Sequence, residues 1–192
     1  MSGVLRLVAH RRRLPIASSV DAAIVVGSPR EAREVERLTS LGNRVYSVPG
    51  RRDDHYVARL LSAYSTSVEG HLVYHGSGLY VAGIGGREPL ANIKSLSAEI
   101  EEQKPSMLLL VSEYPPHGLF DRSRIGVSRG LFEVSDAVAA WRPRVVVLGD
   151  CYGPGVARVN DVLYVCLGSP ECRAYINLVD GEFRAEVLCD KL

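Results

Sequence analysis

Strand-length apolar runs, broken by glycine, proline and charged residues, set the rhythm of this chain. In the first half they alternate with helical patterns. Residues 5–9 and 23–26 read as strands, and 29–41 as a helix with Pro29 near its first turn and Gly42 just past its end. A strand at 44–48 closes on Pro49-Gly50, and 54–63 is a short helix with an acidic start. The runs 72–74 and 79–82 flank His75-Gly76-Ser77-Gly78, a hairpin signal. Helices are predicted over 95–103 and 130–141, each stopping before a proline, with a continuous buried strand at 107–111 between them. Beyond Arg144 the pattern is almost all strand: 145–148, 156–159, 163–166, 174–178 and 184–188. Early strand–helix alternation followed by a run of strands predicts an α/β fold of mixed sheets covered by helices. A ligand site in such sheets lies beyond the carboxyl ends of the parallel strands.

Composition narrows this picture only slightly. The 192 residues suit a single domain spanning 1–192, with no repeat, low-complexity linker or composition shift along them. The formal net charge of +1 gives no bulk argument for nucleic acid or a membrane, so any basic site must be local. No apolar run is long enough to span a bilayer, and residues 1–20 lack the apolar core of a secretory signal, so a cytoplasmic protein without membrane contact is expected. Arginine greatly outnumbers lysine and Gln103 is the only glutamine, a thermophile-like, archaeal-like balance. Cys151, Cys166, Cys172 and Cys189 match no zinc-knuckle spacing; buried free thiols are the expectation, with a disulfide left open by that hint of a hot habitat.

Five strand ends and the first strand carry a more specific pattern. Ala23-Ile24-Val25-Val26-Gly27-Ser28 ends where a Gly-Asp would stand in the calcineurin-like metallophosphoesterases. Val48-Pro49-Gly50-Arg51-Arg52-Asp53 is similar to the V-P-G-N-H-D turn of that superfamily. Ser112-Glu113-Tyr114-Pro115-Pro116-His117-Gly118 resembles its T-H-Y-P-P-x-G, Gly149-Asp150-Cys151-Tyr152 its G-H-x-H, and Leu167-Gly168-Ser169 the N-P-G-S that follows. His10-Arg11-Arg12 takes the place of the opening D-x-H. The matches cover nearly the whole chain in the right order. The resemblance implies a four-layer α/β/β/α sandwich, two mixed sheets face to face with helices outside.

The chemistry of the family does not come with the framework. Its members hold two divalent metals with aspartate, asparagine and histidine, and activate a bridging water for attack on phosphorus. At those eight positions this chain has His10, Arg12, Ser28, Arg51, Arg52, Glu113, Asp150 and Tyr152. Arginine keeps its proton and cannot ligate a cation, and serine is a poor bridge between two metals. No metal and no cofactor is therefore expected, although His10, Glu113 and Asp150 leave a single-metal site chemically conceivable. One alternative pairs Arg12, Arg51 or Arg52 with Glu113 and Asp150, so that ion pairs replace metal–ligand bonds. Another gathers Arg11, Arg12, Arg51 and Arg52 into an anion pocket for phosphate, nucleotide or a nucleic-acid backbone.

Other chemistry-bearing residues add little. His117 could donate a proton at the site mouth but lacks a metal-bound water to work with. His55, His71 and His75 share no ligand spacing, and Gly83-Ile84-Gly85-Gly86 lacks the Gly-Lys-Ser/Thr ending of a phosphate loop. Residues 115–129 read as an exposed loop beside the site, with Tyr114, Phe120 and Trp141 as possible partner contacts. The expectation is a catalytically inactive phosphoesterase-fold protein that binds or scaffolds a protein partner, or self-associates. The resemblance implies a precedent in the retromer scaffold subunit and in small subunits of replicative DNA polymerases. A divergent metal-dependent phosphoesterase and an arginine-lined binder of phosphate, nucleotide or nucleic acid are the competing expectations.

Overall fold

The computed structural model describes residues 5–11, 20–27 and 44–190. Within them the chain forms β1 (Leu5–Arg11), β2 (Ala22–Val26), β3 (Arg44–Val48), helix α1 (His55–Tyr64), β4 (Thr66–Ser67), β5 (Leu72–Gly76), β6 (Leu79–Ile84), α2 (Pro89–Gln103) and β7 (Met107–Ser112). It continues with α3 (Phe132–Trp141), β8 (Val145–Leu148), β9 (Gly155–Val159), β10 (Val162–Cys166), β11 (Cys172–Val179) and β12 (Glu182–Cys189). The helix expected over 29–41 lies outside the described residues. Helix α2 starts well before the expected 95, because Pro89 occupies its first turn, where a missing N–H costs nothing.

Two mixed six-stranded sheets result, with strand orders β12-β11-β1-β2-β3-β4 and β5-β6-β7-β8-β10-β9. In the first, β1 to β4 are parallel, and β11 and β12 complete the sheet antiparallel. In the second, β6, β7, β8 and β10 are parallel between antiparallel edges β5 and β9. Alternation sorts the side chains into layers. Leu7, Ala9, Ile24, Val26 and Val48 face Val81, Leu109, Val111, Val147 and Val165 across the inter-sheet core. Leu96 of α2 and Val134 and Val138 of α3 pack on the outer face of the second sheet, and Leu61 of α1 packs on the outer face of the first. This is the four-layer α/β/β/α arrangement expected. Among the described residues no helix is long and apolar enough to cross a membrane.

The glycine-rich turn after β6 serves this packing. A Cβ on Gly83 would lie 2.5 Å from a methyl of Val48, and one on Gly85 would lie 2.7 Å from the Pro49 carbonyl. Their bare backbone lets the end of β3 sit directly on the end of β6, where the Gly86 amide donates to the Pro49 carbonyl at 2.9 Å. That contact fixes the turn carrying Arg51 against the second sheet.

The cysteines depart from the expectation of free thiols. Cys151 pairs with Cys166 and Cys172 with Cys189. The second bridge joins directly opposed residues of β11 and β12; the first ties the turn after β8 to the end of β10.

Candidate functional site: an arginine–carboxylate cluster at the strand ends

The parallel strands of both sheets end on the same side, and the turns after them converge. The Gly149 amide donates to Ser112 O and the Asp150 amide to Glu113 O, each at 2.9 Å, so the turns after β7 and β8 are held together. Glu113 is 1% exposed, wedged between Gly50 and Gly149. A Cβ on Gly149 would lie 2.6 Å from Glu113 Oε2 and 2.4 Å from a Val26 methyl, so only glycine leaves room for this carboxylate.

Arg11, at the end of β1, reaches across the gap between the sheets. Its Nη1 donates to the Gly168 carbonyl at 2.8 Å, and its Nη2 donates to Asp150 Oδ1 at 3.0 Å and stands 4.0 Å from Glu113 Oε1. Arg51 pairs with the other Asp150 oxygen, and Arg129 approaches that same oxygen at 3.5 Å. The Arg129 guanidinium also lies 5.5 Å from the centre of the Tyr152 ring, a cation–π distance. Asp150 thus receives three guanidiniums on two oxygens, while Arg11 Nε is buried with no hydrogen-bond partner among the described residues.

Of the eight positions singled out by resemblance, Arg51, Glu113, Asp150 and Tyr152 come together here. Arg52 is exposed and joins none of these ion pairs. Arg12 and Ser28 lie outside the described residues. His10 requires a correction. It occupies the alternate face of β1, opposite Arg173 in register, and so points to the outside of the first sheet. Burial, and then the charge of Arg173, lower its pKa to about 4, with Asp190 opposing. The side chain β1 contributes to the site is Arg11, one residue on.

Arg129 was not anticipated. It arrives on the 115–131 segment, which is folded around a buried acid rather than loose. Asp121 is 2% exposed; Ser128 Oγ donates to it, and its own carbonyl accepts from the Arg129 amide at 2.9 Å. Burial works against ionisation of Asp121, but the Ser128 hydroxyl and the Gly118 amide outweigh it and hold its pKa below the usual value. His117 stands 3.7 Å from Asp121 and stacks on Phe132 at 3.9 Å, so it serves this segment instead of the cluster. The Tyr114 hydroxyl donates to Gly86 O at 2.6 Å, and burial, then Glu113, raise its pKa.

A binuclear metal centre does not fit these residues. The carboxylate that could anchor one is engaged by cations, the arginines cannot ligate, and no group of three or more possible ligands occurs among the described residues. What the arrangement can do is hold four strand ends, β1, β3, β8 and β10, in one charged clasp.

No protein-family model and no curated protein matches the sequence. Solved structures do match. GAP50, the anchor in the inner membrane complex of Plasmodium, superposes with a TM-score of 0.65 at 12% identity, over 97% of this chain and 84% of that one. A putative 5′-nucleotidase from Staphylococcus aureus gives 0.65 at 9% identity over 99% of this chain, which spans only 55% of that protein. Vacuolar protein sorting 29 from Cryptosporidium parvum gives 0.50 at 10% identity, over 98% and 99% of the two chains. Identities this low speak for the fold alone, and with the sheet topology and the strand-end motifs they show that the chain has the calcineurin-like metallophosphoesterase fold.

Proposed function

We propose that this chain is a non-catalytic member of its fold, acting as a binding or scaffold subunit for a protein partner or a second copy of itself. The observation that carries this reading is the set of ion pairs from Arg11, Arg51 and Arg129 to Asp150. Guanidiniums occupy the carboxylate that a divalent ion would need, and a cation brought there would meet three fixed positive charges. The ion pairs use the old strand-end geometry to join the two sheets, keeping the framework rigid without its chemistry. Two structural neighbours, one described as an anchor and one as a sorting protein, are consistent with a binding role for the fold.

The test is turnover of bis(p-nitrophenyl) phosphate by pure protein with added manganese, alongside elemental analysis of bound metal. Neither metal nor turnover is expected. Manganese-dependent turnover abolished by Asp150→Asn would overturn the proposal. A second reading, an anion site, is favoured by one observation: the guanidiniums outnumber the carboxylates and leave Arg11 Nε without a partner among the described residues. It requires that a single-stranded oligonucleotide or inorganic phosphate bind with an affinity that falls steeply with salt and with Arg51→Ala. Binding insensitive to both would remove it.

A further inference from the structure

A cleft of about 970 Å³ runs along the outer face of the second sheet, apart from the ion-pair cluster. Its floor is the outward side of β10, Val162 and Tyr164, and one wall is the flank of α3 formed by Ser135, Val138, Ala139 and Arg142. Ser135, Val138 and Ala139 stand at i, i+3 and i+4 and so share one face of the helix, and its C-cap Arg142 follows at i+7. The opposite side is low because β9 places Ala157 opposite Tyr164 and Gly155 opposite Cys166, leaving Val159 as its one larger outward residue. Val138, Val162 and Tyr164 are themselves only 5%, 7% and 7% exposed and form a closed floor, so the apolar surface open in the cleft is that of Leu119, Ala139 and Val159 around it.

The charge in this cleft is concentrated at one end. Arg142 caps α3 and Arg144 precedes β8; both are exposed, and neither enters an ion pair among the described residues. Among the described residues the only acid in the lining is Asp161, so two guanidiniums face one carboxylate. From Ser135 to Arg142 the helix rises about 10 Å. The cleft is therefore a trough of that length with a cationic end, the shape of a small-molecule site with an apolar bed and a few polar groups that fix orientation.

We propose that this cleft binds an amphipathic organic anion, an acyl or aryl tail lying along Leu119, Ala139 and Val159 over the floor of Val162 and Tyr164, and a carboxylate or phosphate head held by Arg142 and Arg144. An extended octyl chain matches the length of the trough, and planar guanidiniums suit both head groups. The site goes beyond the scaffold reading and does not depend on it, since none of its residues belongs to the Asp150 cluster.

The test uses the fluorescence of anilinonaphthalene sulfonate, an aromatic anion, titrated against the full chain. Saturable binding at one site is expected, with displacement by octanoate or octyl phosphate and none by octylammonium. The two anions separate a carboxylate from a phosphate preference, and either supports the proposal. Ala139→Trp, at an exposed wall position, fills the trough and weakens probe binding at least tenfold with the melting temperature unchanged. Arg142→Gln with Arg144→Gln weakens it about tenfold and abolishes the preference for anionic over cationic octyl compounds. Absence of probe binding, equal displacement by octylammonium, or affinity indifferent to Ala139→Trp would each overturn the assignment.

Discussion

Asp150 shows how one residue type can reverse the sign of a site. Its side chain is 14% exposed, and those of Arg11 and Arg51 are 12% and 26% exposed, so the charges interact with little water between them. Replacing the carboxylate leaves the guanidiniums facing one another. Asp150→Ala is expected to lose about 3 kcal/mol, the scale for breaking one partner out of a buried pair, read as a lower urea midpoint with unchanged slope. His10 offers a second test at this scale. Its folded pKa of about 4 lies below the ordinary 6.5, so the unfolded chain binds the proton more readily. The contribution of the neutral imidazole is full above pH 6.5 and is lost progressively as pH falls towards 4. His10→Phe should flatten that part of the stability profile. A profile of the same steepness in the variant would show that another group titrates there.

Among the elements, the strands were the most legible part of the sequence, because apolar runs bounded by glycine and proline have few other uses. The face each strand presents was less legible. β1 is buried on both sides, so Val8 and Ala9 look alike in sequence, and nothing local says whether His10 or Arg11 turns towards the neighbouring sheet. Arg129 was invisible for a different reason: its position depends on the burial of Asp121, a tertiary fact. The Cys172–Cys189 bridge did carry a signal. The β11–β12 hairpin turns at Asp180-Gly181, a dipeptide that favours such a turn, and a register in which Val179 faces Glu182 places the two cysteines opposite each other. The Cys151–Cys166 bridge had none, since β8 and β10 are neighbours only by topology. It spans 15 residues and tethers the turn bearing Asp150 to the strand leading to Gly168. Reduction opens this loop and the 17-residue loop of Cys172–Cys189 together, and should cost about 3 kcal/mol for each, the loop-closure estimate for these lengths. Thiol alkylation followed by mass measurement before and after reduction, with thermal melts in parallel, checks both the pairing and its effect.

For the molecule as a whole, the order of motifs along the chain carried the resemblance that implied two sheets with helices outside. It could not distinguish a clasp from an anion pocket, because both need the same arginines near the same carboxylates and differ only in which oxygen each guanidinium meets. The strand order has one more consequence, for how the protein is made. The second sheet is assembled from residues 72–166, a contiguous stretch, whereas in the first sheet β1 is flanked by β2 on one side and by β11, residues 172–179, on the other. On a ribosome adding roughly 5–20 residues per second, β1 waits on the order of ten seconds or more with one hydrogen-bonding edge open. During synthesis that apolar strand is a sticky edge, and a chaperone that recognises short hydrophobic segments has its natural target there until β11 emerges to close it.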